Sequence, residues 1–411
     1  MTSASHLNPA KHNLQTHNLP TPNAQAQDQS QQLMRLIQQK ISQAGGWIDF
    51  ATYMQMALYS PSLGYYSGGA KKFADIQKGG GDFVTAPQIS PLFARTLAMQ
   101  AAQVLAETEG DVLELGAGTG KLAIDLLLAL QQLQTLPNQY YILEVSDYLR
   151  QIQLENCQRA LSENLFKRII WLEAVPESFD GLILGNEVLD AIPAHLIVKS
   201  NDAWLERGIG IDAAFNDGLA WQDKSLQDAP LKLEQLCGEV SAHSLPNGYL
   251  TEVCPASAGL INSLAACLNQ GVILMLDYGF GAAEYYHPQR NTGTLMCHYQ
   301  HYAHSDPLIY VGLQDITAHV NFTAIAHAGV AQGLSLAGYC NQASFLMNCG
   351  LLDILSKTSP SDMAAYAPLA AAAQKLLSPA EMGELFKVIA FSKDFDSPLI
   401  GFKSGDKAHL L

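Results

Sequence analysis

The stretch Glu114-Leu115-Gly116-Ala117-Gly118-Thr119-Gly120 limits the fold of this chain more than any other. It follows the apolar run Val112 to Leu115 and precedes a helical pattern from Lys121 to Gln132. Glycines at alternate positions let the backbone reverse tightly and approach a ligand with no Cβ in the way. The helix that follows offers free N–H groups toward a polar or anionic group. Strand, glycine turn and helix together form the opening unit of a doubly wound α/β sheet. Further strand-like runs recur at Tyr141–Val145, Ile169–Leu172, Leu182–Leu184 and Val272–Leu276, with late ones at Leu334–Tyr339 and Phe386–Phe391. This alternation predicts a mainly parallel sheet.

Around that core the chain divides by composition. Residues 1–30 are rich in Gln, Asn, His, Ser and Pro and read as a disordered polar tail. The tail has no apolar run of signal-peptide type and contains Lys11 but no arginine, so a cytoplasmic protein is expected. Residues 31–108 form a helical and loop cap, with helices at Leu33–Ile41, Phe50–Tyr59 and Pro91–Glu107. Residues 109–190 hold the first half of the core, 191–260 an inserted strand-rich region, and 261–411 the second half with added loops. Ser378-Pro379-Ala380-Glu381 has the pattern of a helix start, with serine as cap and proline at the first helical position. The seven cysteines are scattered and form no CxxC pair, which points to reduced thiols and neither a disulfide framework nor a zinc site. A formal net charge of −15 opposes binding to nucleic acid or an anionic membrane and suits a basic partner. No apolar stretch is long enough to span a bilayer.

Two cofactor classes compete for the glycine turn. A dinucleotide fingerprint, GxGxxG, requires glycine at position 121, where the residue is Lys121. The observed GxGxG, with Glu114 ahead of Gly116, resembles the first motif of class I methyltransferases. That resemblance implies S-adenosyl-L-methionine, held by Glu114, Gly116, Ala117 and Gly118. Glu144, near the end of the next strand, is placed to accept hydrogen bonds from both ribose hydroxyls.

A second group of polar residues ends the fourth strand: Asn186-Glu187-Val188-Leu189-Asp190-Ala191-Ile192-Pro193. Ligands of open α/β sheets lie beyond the carboxyl ends of the strands, so Asn186, Glu187 and Asp190 project toward the cofactor and the methyl acceptor. Carboxylates there favour a cationic acceptor. Helix capping by Asn186 or Asp190 is the bland alternative. His298, His301 and His304 recur every third residue, but no other metal-ligand pattern accompanies them and no metal is expected.

The pattern Asn186-Glu187-x-x-Asp190-Ala191-x-Pro193 resembles the signature of the MidA family. Gly80-Gly81-Asp82-Phe83-Val84-Thr85-Ala86-Pro87-Gln88-Ile89-Ser90 resembles the family's N-terminal motif, and Gly293-Thr294-Leu295 and Gln314–Phe322 resemble later ones. Asn321 stands where the family has aspartate. The resemblance implies a class I methyltransferase, a Rossmann-like doubly wound sheet with an N-terminal helical addition and an inserted strand-rich subdomain. Its mitochondrial members methylate protein arginine and assist assembly of respiratory complex I. The expected reaction is therefore in-line displacement at the sulfonium methyl by the guanidinium of a protein substrate, possible acceptors including a respiratory-complex subunit. Glu187 and Asp190 are the expected acceptor clamp, Glu252 a second carboxylate, and His319 a shaping or proton-accepting residue. Asp82 and Thr85 are expected in a segment covering the cofactor. An assembly factor acting by binding alone, or a methyltransferase for a small molecule or another side chain, are the alternatives.

Overall fold

The structure, a computed structural model, describes residues 19–68, 85–201, 203–212, 218–226, 240 and 244–411. Helix α1 (Ala24–Gln43) buries Leu33, Met34, Ile37 and Ile41 on one face, and its side-chain cap is Asn23. Strand β1 (Trp47–Asp49) leads into α2 (Phe50–Tyr59), where the Asp49 carboxylate accepts from the Thr52 N–H at 2.7 Å. After α3 (Ala86–Ile89), α4 (Pro91–Thr108) starts on a Ser90 cap with Pro91 in its first turn. The core alternation follows as β2 (Asp111–Leu115), α5 (Lys121–Gln132), β3 (Tyr140–Leu143), α6 (Asp147–Ala160), β4 (Ile169–Leu172) and β5 (Phe179–Asn186). The inserted region supplies β6 (His195–Ser200), β7 (Ala203–Ile211), β8 (Leu219–Ser225) and β9 (Leu250–Val253). The second half adds β10 (Leu268–Phe280), β11 (Met296–Tyr299), β12 (Tyr302–His304), β13 (Asp315–Thr317), β14 (Val320–Asn321), β15 (Ser335–Asn341) and β16 (Phe386–Lys393).

The main sheet runs β15-β16-β10-β5-β2-β3-β4, with β14 paired to β10. Strands β10, β5, β2, β3 and β4 are mutually parallel, whereas β16 is antiparallel to both neighbours. The α/β doubly wound expectation is met. Chain order reverses at β2, flanked by β3 on one side and β5 on the other, which opens a crevice at their carboxyl ends. Because helices cover both faces, the central strands read as unbroken apolar runs such as Leu182-Ile183-Leu184, each fully buried. One core packs α4 and α5 on the sheet, and the other packs helices Pro255–Cys267 and Phe322–Ala331 on its opposite face.

A second sheet, β1-β7-β6-β9 with β8 beside β7, joins the N-terminal helices to the inserted strands. His195 on β6 lies 2.7 Å from fully buried Glu206 on β7 and 3.9 Å from Asp49, the α2 cap, tying the two regions together. A third sheet, β12-β11-β13, carries His298 and His304. Among the described residues His298, His301 and His304 join no group with metal-ligand spacing.

One local expectation is corrected. Ser378 is not the cap of a helix start but ends Met363–Leu377, its N–H donating to the Gln374 carbonyl at 2.8 Å, and the short helix that follows, Met382–Leu385, begins only after Glu381. Ser378, the residue before Pro379, is extended at φ −63° and ψ 127°, and the helix stops there.

Where β5 and β10 pair, Gly181 and Gly271 face each other at φ +127° and +134°, and a Cβ on Gly271 would sit 1.9 Å from the Gly181 carbonyl oxygen. Gly271→Ala should therefore cost at least about 2 kcal/mol and lower the urea midpoint of unfolding. An unchanged midpoint would contradict this close approach.

Candidate active site

A cavity of about 400 Å³ opens at the carboxyl ends of β2, β3 and β5, within the roughly 300–1,000 Å³ range of small-molecule sites. Its first half is lined by Glu114, Gly116, Ala117, Gly118, Glu144 and Val145, its second by Asn186, Glu187, Asp190 and Ala191, with Tyr59 and Tyr66, hydrogen-bonded to Ala191 and Ser146, between them. Thr85 also lines it, and Asp82 lies outside the described residues.

Gly116, Gly118 and Gly120 all adopt left-handed backbone, at φ +59°, +54° and +80°, a turn that side-chain-bearing residues resist. A Cβ on Gly118 would meet nothing within 4 Å, so that edge is open for a ligand. Glu114 is buried at the end of β2, and its Oε2 accepts from the Tyr140 hydroxyl at 2.6 Å. Burial pushes its carboxyl up to about 7 against the pull of that bond, with nearby Glu144 adding to the rise. Glu144, just past β3, accepts from the Ser146 N–H and from Gln153 Nε2, each at 2.9 Å. Burial raises its carboxyl too, offset by those bonds.

Gln153 was not marked by any motif, yet it organises this half. Fully buried on α6, it donates to Glu144 Oε2 and to the Gly118 carbonyl at 3.0 Å, and accepts from Trp171 Nε1 at 3.0 Å. Glu144 and the glycine turn thus share one anchor. The available signal was its position on the helix directly after Glu144, a polar residue on an inward face. Lys121 lines the cavity but is ion-paired with Asp125 one turn on.

In the second half, the residues after β5 form a turn into β6, with no helix for Asn186 or Asp190 to cap. Asp277 on β10 holds that turn: its Oδ2 accepts from the N–H groups of Val188, Leu189 and Asp190 at 3.1, 2.8 and 3.3 Å. Glu187 adopts left-handed backbone at φ +54°, a conformation costly for a residue with a Cβ and kept where surrounding structure imposes it. Its Oε1 accepts from Asn186 Nδ2 at 3.1 Å and from the Ala86 N–H at 3.4 Å. Loss of water pushes the Glu187 carboxyl up to about 8, with Asp190 adding to the rise. Asp190 is 5 % exposed, and its carboxyl is raised to about 6 by burial against a hydrogen bond from Tyr278. Asp190 Oδ1 and Asn186 Oδ1 are buried without a donor from the protein.

Two expected residues stand elsewhere. Glu252 does not line the cavity. Its carboxylate is occupied by the Thr294 and Leu295 N–H groups at 2.8 and 2.9 Å and the Thr294 hydroxyl at 3.0 Å, so it fixes the 293–295 loop to β9. His319 does not line it either: its ring stacks on Phe280 at 5.3 Å and meets Tyr278 edge-on at 5.0 Å. Burial, with Arg290 adding, lowers that imidazole to about 4, leaving it neutral.

The left-handed glycine cradle, its open edge, two buried acids and the donorless Asn186 oxygen fit a nucleoside cofactor with a zwitterionic tail. Residues 92–340 match the model of the S-adenosyl-L-methionine-dependent methyltransferase family. The chain belongs to this family. The methyltransferase is 46 % identical to a superfamily member from Burkholderia thailandensis crystallised with S-adenosyl-homocysteine, at a TM-score of 0.89 over 96 % of this chain and 100 % of that one. It is 30 % identical over 374 residues to the zebrafish (Danio rerio) mitochondrial protein arginine methyltransferase NDUFAF7, covering 84 % of this chain and 83 % of that protein. With the human protein of that name it shares 28 % identity over 389 residues, 87 % and 82 % of the two chains. The enzyme uses S-adenosyl-L-methionine. The expected cytoplasmic location is corrected by these relatives, which are mitochondrial proteins. Among the described residues, no helix is long and apolar enough to cross a membrane.

Gly116→Val should abolish S-adenosyl-homocysteine binding in calorimetry while circular dichroism stays native, and near-native affinity would contradict the cradle. Glu187 gives a second test. A carboxyl raised in the folded chain holds its proton more tightly there than when unfolded. Its contribution is thus fully present below the ordinary value of 4.5 and is lost as pH rises toward about 8. Glu187→Gln removes that loss, so its melting temperature should gain on wild type as pH increases between those values. A gap that stays constant or narrows would contradict the buried carboxyl.

Proposed function

We propose that the enzyme methylates arginine in a protein substrate, with Glu187 and Asp190 as the residues that receive the guanidinium. The observation that carries this reading is Asp190, a cavity-lining residue whose Oδ1 is buried with no donor from the protein. A buried acceptor without a donor is costly, and a ligand rich in N–H groups would remove that cost. Guanidinium, with its five donors in a planar fork, matches two adjacent carboxyls better than a point charge does. The relatives described as protein arginine methyltransferases support the same acceptor class.

Glu114, Gly116, Ala117, Gly118, Glu144, Asn186 and Thr85 would hold the cofactor, which when bound supplies an electrophilic methyl on a positive sulfonium. Arginine stays protonated at physiological pH, so its nitrogen must be made nucleophilic locally. Glu187 and Asp190 would draw positive charge toward one nitrogen and leave the other richer in lone-pair density. Glu187, held near neutrality until the cation arrives, would release its proton to solvent on binding it, and Asp190 would take the separate proton that the guanidinium nitrogen loses at transfer. Alignment of this kind can supply about 7–11 kcal/mol of barrier reduction. The resemblance suggests a respiratory-complex subunit as acceptor.

Peptide mass spectrometry should find a methylarginine site that disappears on gene deletion and returns with wild type. On that substrate Glu187→Gln should keep cofactor affinity within a few-fold and lower turnover by orders of magnitude. Asp190→Asn should also lower it. Full activity of both variants, or methylation only at another residue type or on a small molecule, would refute the proposal.

A further inference from the structure

The wall between the two halves of the cavity is aromatic. Tyr59, Tyr65 and Tyr66 all line it. The Tyr59 and Tyr66 rings stack with centroids 5.4 Å apart at 29°, and Tyr65 meets Tyr66 edge-on at 5.0 Å. Each end of this pair is fixed. The Tyr66 carbonyl accepts from Ser146 Oγ at 2.7 Å, and the Ser146 N–H holds Glu144, so the pair is anchored to the ribose acid. The Tyr59 hydroxyl donates to the Ala191 carbonyl at 3.0 Å, anchoring it to the turn that carries Glu187 and Asp190. The Tyr66 hydroxyl donates to Asp315 Oδ1 at 2.8 Å, and Asp315, on β13, is fully buried.

We propose that the stacked Tyr59–Tyr66 pair reads positive charge at the point where cofactor and acceptor meet, with Asp315 acting through the Tyr66 hydroxyl to enrich the ring. Both phenols act as donors, which shifts electron density into the rings, and the face of an aromatic ring attracts a cation within about 6 Å. Burial and Asp315 together hold the Tyr66 phenol far above its ordinary value, so it stays protonated as a donor. Two cations could occupy this place: the sulfonium of the cofactor, which follows from the family, and the acceptor guanidinium, which rests on the arginine reading above. The pair would favour the methyl-bearing cofactor over the neutral thioether that remains after transfer, or hold the arginine against the carboxyls.

Calorimetry with S-adenosylmethionine and S-adenosylhomocysteine separates the first source from simple cofactor binding. If the sulfonium is read, Tyr66→Leu should weaken S-adenosylmethionine binding about tenfold and leave S-adenosylhomocysteine affinity unchanged, which also reports an intact fold. Tyr66→Phe and Asp315→Asn keep the shape and should shift the same ratio less, in the same direction. For the second source, saturation-transfer NMR on S-adenosylhomocysteine-loaded protein compares N-acetyl-arginine amide with the neutral N-acetyl-citrulline amide. Loss of the arginine preference in the variants, with the cofactor ratio constant, would assign the wall to the acceptor. Both ligands of the first arm weakening equally, or neither preference changing in any variant, would overturn the proposal. Wild-type protein with no arginine preference but a Tyr66-dependent cofactor ratio would sink the arginine reading and leave the wall standing.

Discussion

Glu114, Glu144, Glu187 and Asp190 lose much of their water around a single cavity, and the arrangement of everything near them follows from how that cost is met. The lining cation, Lys121, is committed to Asp125. The protein therefore answers these acids chiefly with hydrogen-bond donors: Tyr140 for Glu114, Ser146 and Gln153 for Glu144, Asn186 and Ala86 for Glu187, Tyr278 for Asp190. Those donors are fewer than a full hydration shell, and each carboxyl is raised above its ordinary range as a result. A site in this condition gains most from a ligand that carries positive charge and N–H groups. A sulfonium cofactor and a guanidinium acceptor have that chemistry, and the acidic chain as a whole, at −15, favours a basic partner.

Holding such a site open requires a stiff support. The parallel pairing of β5 with β2 and β10 sets where Asn186 and Glu187 emerge. Asp277, from the neighbouring strand, then takes three N–H groups of the following turn on one oxygen, and the Ala318 N–H donates to the Asp190 carbonyl at 3.0 Å. With the turn fixed at so many points, the left-handed backbone of Glu187 is imposed by its surroundings. Gln153 plays the corresponding part in the first half of the cavity, because one amide fixes both the glycine turn and Glu144.

Local pattern made much of the core legible. The periodicity of Phe50–Tyr59 and Lys121–Gln132 marks two helices whose ends coincide with the observed ones, since their caps and breakers lie within a few residues of them. The glycine turn and the acid after the next strand were visible for the same reason. What sequence could not reveal is which distant donors a carboxylate finds. Glu252 looks free in Tyr249–Val253, yet a loop some forty residues later fills both its oxygens. His319 sits inside a motif, but ring packing against Phe280 and Tyr278 places it off the cavity. Asp277, just past the apolar run Val272–Leu276, reads in sequence as part of an acceptor pocket or as a strand end, and its grip on residues 188–190 exists only once β10 lies beside β5.

On the proposed reading both halves of the cavity form one site, with the transferable methyl directed at Glu187 and Asp190. A crystal structure of the protein with S-adenosylhomocysteine tests this most directly. The ribose is expected on Glu144, the amino-acid tail beside Glu114, and the thioether sulfur at the Tyr66 boundary with its open side toward Glu187 and Asp190. A sulfur turned away from those two carboxyls, or walled off from them by protein, would contradict it.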